Sequence, residues 1–171
     1  ENILTVIIPS RNEELGLLSL LPKLEAISSS IEILIVDDGS TDNSVKVCCE
    51  FGVRVISHPY PKGNGAAIKT GARAATGDYI VFMDGDGQHD PADIEKLVAK
   101  AEEGYDLVVG ARSGREAQAS LARWSANSFY NKLASWMVGH KIDDLTSGFR
   151  CVNRKKFLSF LYLLPNGFSY P

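Results

Sequence analysis

Apolar runs and helical stripes alternate through the first part of the chain, and their order predicts its elements. Leu4 to Ile8 reads as a buried strand ended by Pro9, after which Leu17, Leu20, Leu21 and Leu24 recur at the spacing of one helix face. Ile31 to Val36 is a second strand running into Asp37-Asp38-Gly39-Ser40, and Val45, Cys48 and Cys49 give the next helix its apolar face. Arg54 to Ser57 is a third strand, and Gly63-Asn64-Gly65 opens a helix with Ile68, Gly71, Ala72 and Ala75 along one side. Tyr79 to Met83 is a fourth strand. Asp90 is a natural N-cap with Pro91 in the first helical position, and Ile94, Leu97, Val98 and Ala101 form the buried stripe that follows. Leu107 to Val109 is a fifth strand.

This order, with near-continuous apolar strands, implies an α/β fold: a mainly parallel central sheet flanked by helices. Ligands of such sheets sit at the carboxyl ends of the strands. That puts Pro9-Ser10-Arg11, Asp37-Asp38 and Asp84-Gly85-Asp86 on one rim. Beyond residue 110 the rhythm changes. Ala126, Phe129, Tyr130, Leu133, Trp136 and Met137 predict a long amphipathic helix with Arg123, Asn127 and Asn131 on another face. A loop at Asp143-Asp144-Leu145-Thr146, a strand over 147–152 and a helix from Lys155 to Leu164 complete the pattern. One domain over 1–171 is expected, with 1–110 as one half and 111–171 as the other.

Chemistry concentrates at Asp84-Gly85-Asp86-Gly87-Gln88-His89. Carboxylates crowded at the end of a buried strand repel each other unless a cation or substrate offsets their charge. Carboxylate and amide oxygens suit a hard divalent cation, whose remaining ligands a nucleoside diphosphate would supply. The chain has 171 residues, 44% hydrophobic and 23% charged, enough for one core. Its net charge of −3 is unevenly placed. Residues 1–106 hold nine Lys and Arg against eighteen Asp and Glu, a balance of −9, and residues 107–171 hold nine against three, a balance of +6. The later segment is therefore expected to face something anionic, such as a phosphate or a membrane surface. Cys48, Cys49 and Cys151 form neither a disulfide framework nor a zinc spacing and read as reduced thiols. The three histidines are too scattered for zinc, and only His89 lies near the chemistry. No leader-peptide pattern precedes the first strand, and no apolar run approaches the roughly 20 residues of a membrane span.

Rival readings fit less well. Asp84, Asp86, Gln88, Asp90 and Glu95 match a calcium-loop spacing, but that loop wants glycine where His89 stands and a helix rather than a strand before it. Gly63-Asn64-Gly65 carries only part of a dinucleotide fingerprint, on the wrong unit. A nucleotidyltransferase would want a glycine-rich basic loop where Pro9-Ser10-Arg11-Asn12-Glu13 stands.

The motifs in order are Val6-Ile7-Ile8-Pro9 with Asn12-Glu13, Val36-Asp37-Asp38-Gly39-Ser40-Thr41-Asp42, Gly63-Asn64-Gly65-Ala66 and Asp84-Gly85-Asp86-Gly87-Gln88-His89. Gly110-Ala111-Arg112 and Asp144-Leu145-Thr146-Ser147-Gly148-Phe149-Arg150 follow. With them the chain resembles the family 2 glycosyltransferases, and within these the dolichyl-phosphate mannose synthase-like group. The resemblance implies a Rossmann-like nucleotide-diphospho-sugar transferase fold of the GT-A type. It implies a nucleotide pocket of Pro9, Arg11, Glu13, Val36, Asp38, Asp84, Gly85 and Asp86, with Arg11 standing where members often carry an aromatic residue. It implies Mg²⁺ or Mn²⁺ on Asp84, Asp86 and Gln88, and an acceptor side of Arg112, Arg123, Asn127 and Ser147. Asp86, Arg112, Arg123 and Asp144 are its candidate catalytic residues.

The expected activity is inverting transfer of a hexose from a GDP-mannose- or UDP-glucose-type donor to a polyprenyl phosphate at the cytoplasmic face of a membrane. No nucleic-acid partner is expected, and the acceptor half and any membrane anchor are expected to continue past Pro171. The alternatives are transfer to a glycan hydroxyl, for which Asp144 is the natural base, and nucleotidyl transfer.

Overall fold

The computed structural model describes residues 4–27, 30–110, 148–163 and 166. Six strands, β1 (Leu4–Ser10), β2 (Glu32–Asp37), β3 (Arg54–Ser57), β4 (Tyr79–Phe82), β5 (Leu107–Val109) and β6 (Arg150–Asn153), form one sheet in the order β3-β2-β1-β4-β6-β5. The first four in that order are mutually parallel. β6 runs antiparallel to both its neighbours. Among the described residues five α-helices pack against the sheet: α1 (Glu14–Glu25), α2 (Ser44–Glu50), α3 (Asn64–Ala74), α4 (Ile94–Glu102) and α5 (Arg154–Phe160).

Alternation along the strands sorts the core into two layers. Val6 and Ile8 of β1, Ile35 of β2 and Val81 of β4 pack with α1, α2 and α4 on one face. Ile7, Leu34, Val36, Ile80 and Phe82 pack with α3 on the other, where Leu161 and Phe157 also sit. The mainly parallel α/β sandwich expected from the periodicity is thus observed. Among the described residues no helix is long and apolar enough to cross a membrane.

Three local expectations are corrected. Pro9 does not end β1, which continues to Ser10. The Ile7 carbonyl accepts from the Met83 N–H on the β4 side, whereas the Ser10 carbonyl accepts from the Asp38 N–H on the β2 side. Residue 9 therefore faces the β4 side beyond the last pair, Ile7 with Phe82, so its missing N–H breaks no ladder bond. The buried face of α2 is Ser44, Val47 and Cys48, and Cys49 is exposed. Both triplets have helical spacing, and burial of Val47 selects the observed one. Asp90 does accept from the Ala92 N–H at 3.0 Å, but it opens a 3₁₀ turn, Pro91–Asp93, that leads into α4.

At the amino edge of the sheet a polar network joins β1, β2 and β3. Glu32 accepts from Thr5 Oγ1 at 2.6 Å, Thr76 N–H at 2.9 Å and Arg54 Nη1 at 2.7 Å. Burial works to raise the Glu32 carboxyl, but these hydrogen bonds outweigh it and hold it below its ordinary value. Its stabilisation is complete above the ordinary value of 4.5 and is lost as pH falls through the lowered folded-state value. Glu32→Gln is therefore expected to cost about 1–2 kcal/mol at pH 7 and to flatten the acid limb of stability against pH, as measured by urea melts. An unchanged acid limb would contradict the assignment.

Candidate nucleotide-diphosphate site

Because β2, β1 and β4 are adjacent and parallel, their carboxyl ends open on one edge. From that edge emerge Arg11-Asn12-Glu13 after β1, Asp38 after β2, and Asp84-Gly85-Asp86 after β4. The antiparallel β6 brings its start to the same edge, with Arg150 paired to Phe82.

Two of these loops hold each other. The Asn12 N–H donates to Ser40 Oγ at 2.9 Å, and the Thr41 N–H donates to Asn12 Oδ1 at 2.8 Å. The Glu13 N–H donates to Ser44 Oγ at 3.0 Å, and that hydroxyl donates to Asp42 Oδ1 at 2.6 Å. Glu14 Oε2 in turn accepts from the Asn43 N–H at 3.3 Å. The amino ends of α1 and α2 thus satisfy orphan N–H groups across the loops as well as locally, where the Ser44 N–H donates to Asp42 Oδ1 at 3.0 Å. Asn12 takes a φ of 55° in this clamp, a left-handed conformation that asparagine tolerates better than most residues.

The acidic loop lies directly under α1. A β-carbon on Gly16 would stand 2.1 Å from the Gly85 carbonyl oxygen, so helix and loop touch backbone to backbone. Gly16→Ala is expected to push the loop away, lowering stability by about 1–3 kcal/mol and weakening nucleotide binding with it. Calorimetry on a correctly folded Gly16→Ala protein with wild-type affinity would refute the coupling. Glu13 registers the charge of this loop. Its carboxyl is raised above its ordinary value by burial first, then by the charges of Asp86, Asp84 and Asp42.

Asp86 is exposed and accepts from the Gln88 N–H through Oδ1 at 2.9 Å, which folds the loop back on itself. Asp84 Oδ2 is 3.3 Å from His89 Nε2, and the buried His89 ring stacks on Phe149 at 5.1 Å. Gly148 leaves room for the Asp84 carboxylate, since a β-carbon there would lie 2.4 Å from Oδ2. Among the described residues no group of three or more His, Cys, Asp or Glu side chains converges as a complete metal cage. The oxygen donors of Asp84, Asp86 and Gln88, in a field negative enough to raise Glu13, nevertheless fit a hard divalent cation that keeps outside ligands.

Asp38 accepts three hydrogen bonds at this edge. Buried, it accepts from His58 Nδ1 at 2.7 Å and the Lys62 N–H at 2.8 Å through Oδ1, and from the Gly63 N–H at 2.8 Å through Oδ2. Burial works to raise its carboxyl, but these bonds prevail and hold it below the ordinary range. His58, set aside in the sequence reading, thus belongs to this edge as well as His89. Its signal was the parallel pairing of β2 with β3, which sets Ser57 beside Asp37 and so residue 58 beside Asp38.

Pro9, Arg11, Glu13, Asp38, Asp84, Gly85, Asp86 and Gln88 therefore share one edge. Val36 is fully buried, its side chain in the α3-side core. Ser10 Oγ, also buried at this edge, has no hydrogen-bond partner among the described residues. Arg112, Arg123, Asn127, Asp144 and Ser147 lie outside the described residues. Beside Asp84 opens a cavity of about 500 Å³, lined among others by Gly148, Arg150, Ile68, Phe82, Phe157 and Phe160. Burial pushes the Cys48 thiol up to about 11 and the Cys151 thiol up to about 12, so both stay protonated at neutral pH.

The mainly parallel sheet with its flanking helices superposes on glycosyltransferases of the GT-A class. The family model described as "Glycosyl transferase family 2" matches residues 5–160, and the chain belongs to that family. A curated relative, the undecaprenyl-phosphate 4-deoxy-4-formamido-L-arabinose transferase of Klebsiella pneumoniae, is 35% identical over 160 residues. That match covers 88% of this chain and 48% of the relative, so the chain spans about half the length of this relative. Glucosyl-3-phosphoglycerate synthase from Mycobacterium tuberculosis, solved with Mn²⁺ and UDP-glucose, superposes with a TM-score of 0.70 at 25% identity over 89% of this chain and 56% of that one. Its complex with Mn²⁺, UDP and glucosyl-3-phosphoglycerate gives the same TM-score at 26% identity, over 89% and 57%.

Proposed function

We propose that this chain is the donor-binding catalytic domain of an inverting glycosyltransferase that moves a hexose from a nucleotide sugar to a polyprenyl phosphate. The observation that carries the reading is the convergence of Glu13, Asp38, Asp84 and Asp86 at three adjacent strand ends. The Klebsiella relative, named for an undecaprenyl-phosphate acceptor, supports the lipid phosphate, and the mycobacterial complexes with UDP-glucose and Mn²⁺ support the donor and the cation. Residues 1–110 form the donor half and 111–171 the acceptor half, and the acceptor is met at the cytoplasmic face of a membrane.

Pro9, Arg11, Glu13 and Asp38 hold the base and ribose of a GDP-mannose- or UDP-glucose-type donor. Asp84, Asp86 and Gln88 hold Mg²⁺ or Mn²⁺, which when bound offsets negative charge on the departing nucleoside diphosphate. An acceptor phosphate oxygen attacks the anomeric carbon from the face opposite the diphosphate, and the carbon–oxygen bond to the diphosphate breaks. A phosphate monoester with a second pKa of about 6 is largely ionised at neutral pH and needs no general base. Arg112 and Arg123 are assigned to its oxygens, which guanidinium groups grip in a fork, and Asn127 and Ser147 are assigned to the acceptor side.

The test uses full-length protein, radiolabelled sugar nucleotides and two acceptors, a polyprenyl phosphate and a free oligosaccharide. Transfer to the lipid phosphate is expected, with Arg123→Ala depressing turnover far more than donor affinity and Asp144→Asn merely perturbing the rate. Transfer only to the oligosaccharide, with Asp144 essential as a base, would replace this reading by a glycan-building one.

A further inference from the structure

We propose that His58 is a positioning residue of the donor site, holding Asp38 and the loop that opens α3 in one fixed arrangement. This rests on the proposed assignment of Asp38 to the nucleotide pocket. The imidazole is buried and bonded at both nitrogens: Nδ1 lies 2.7 Å from Asp38 Oδ1 and Nε2 lies 2.9 Å from Thr70 Oγ1. The ionised Asp38 carboxylate can only accept, so Nδ1 carries a proton and donates it. One ring thereby joins the end of β2, the loop after β3 and the middle of α3.

The same Asp38 carboxylate takes the Lys62 and Gly63 N–H groups, which immediately precede the first residue of α3. Gly63 leaves the loop with a φ of 100°, and Gly39 meets the loop from the other side, where an added β-carbon would stand 3.0 Å from Pro61 N. The loop from His58 to Gly63 is thus hung on Asp38, and His58 keeps the carboxylate from swinging off its two N–H partners. A packing residue would need only bulk here. The ring instead supplies a directed donor to a carboxylate at the donor edge that also holds the loop.

The experiment compares His58→Asn, His58→Gln and His58→Phe in the full-length protein. Asparagine can reproduce the Nδ1 donor, glutamine reaches toward the Nε2 position, and phenylalanine keeps the bulk with neither. Affinity for UDP and for GDP with Mn²⁺ is measured by calorimetry, alongside hydrogen exchange at the Lys62 and Gly63 amides and the thermal midpoint. His58→Asn is expected to stay within about threefold of wild type, while His58→Gln and His58→Phe weaken binding by about tenfold or more. The same two variants should speed exchange at both amides and raise the donor KM more than they lower kcat. Wild-type affinity and protection in His58→Phe would overturn the proposal. So would losses that follow the thermal midpoint alone, with asparagine as damaging as phenylalanine. If wild-type protein bound neither nucleotide yet the amides kept the predicted order, the hold of His58 on Asp38 would stand and the nucleotide pocket would fall.

Discussion

Asp86→Ala is expected to lower sugar transfer by about 10²–10³-fold, the scale seen when one group that stabilises developing charge is removed. Nucleoside diphosphate affinity measured with Mn²⁺ should fall with it, and adding a chelator should then make mutant and wild type alike. The fold should survive, because Asp86 is exposed and its hydrogen bond from the Gln88 N–H is local to its own loop. One change in the folded protein should even be favourable. After burial, the charge of Asp86 is the leading cause that raises the Glu13 carboxyl, so Glu13 should titrate lower in the mutant when followed by NMR. Equal affinity in both proteins, with and without chelator, would remove the cation from the mechanism.

Asp38→Ala is expected to damage the fold and the site together. Truncation strips an acceptor from the His58 ring and from the Lys62 and Gly63 N–H groups in a buried setting, at a cost of about 3 kcal/mol or more. Nucleotide binding should weaken by a further ~1–3 kcal/mol for a lost bond to a charged group. Asp38→Asn keeps one acceptor and should fall between. The pH dependence has a definite sign: the carboxyl is lowered in the fold, so its stabilisation is full above the ordinary 3.8 and lost as pH falls through the lowered value. Urea melts across pH, with calorimetry at neutral pH, separate the two effects. A protein as stable as wild type would mean that the three bonds are not what holds the loop.

The parts of this molecule that were legible in sequence are those governed by local pattern. β3 and β5 fall on the residues their apolar runs predicted, and the acidic rim follows from adjacent parallel strands with little further information. Pairing is different. Nothing in the run over 147–152 says that its strand lies between β4 and β5, because that placement is decided by contacts distant in sequence. The α2 face was misread for a related reason, since Val45-Cys48-Cys49 and Ser44-Val47-Cys48 are equally helical and only the neighbours discriminate. His58 was passed over because its partner lies twenty residues away, directly after the end of another strand. The loop clamp between Asn12 and Thr41 was invisible on the same grounds.

The placement of β6 has an evolutionary corollary. β5 ends and β6 begins on the ligand edge, with Val109 paired to Arg150 and the Gly110 N–H donating to the Phe149 carbonyl at 2.8 Å. The chain therefore leaves the sheet and rejoins it at neighbouring points, as if around a clasp. Whatever lies between those points can lengthen, shorten or change composition at a closure cost that grows only slowly with length, while the sheet and the acidic rim stay as they are. On the proposed assignment of that segment to the acceptor side, acceptor preference diverges by exchange of one cassette while the donor rim is inherited intact.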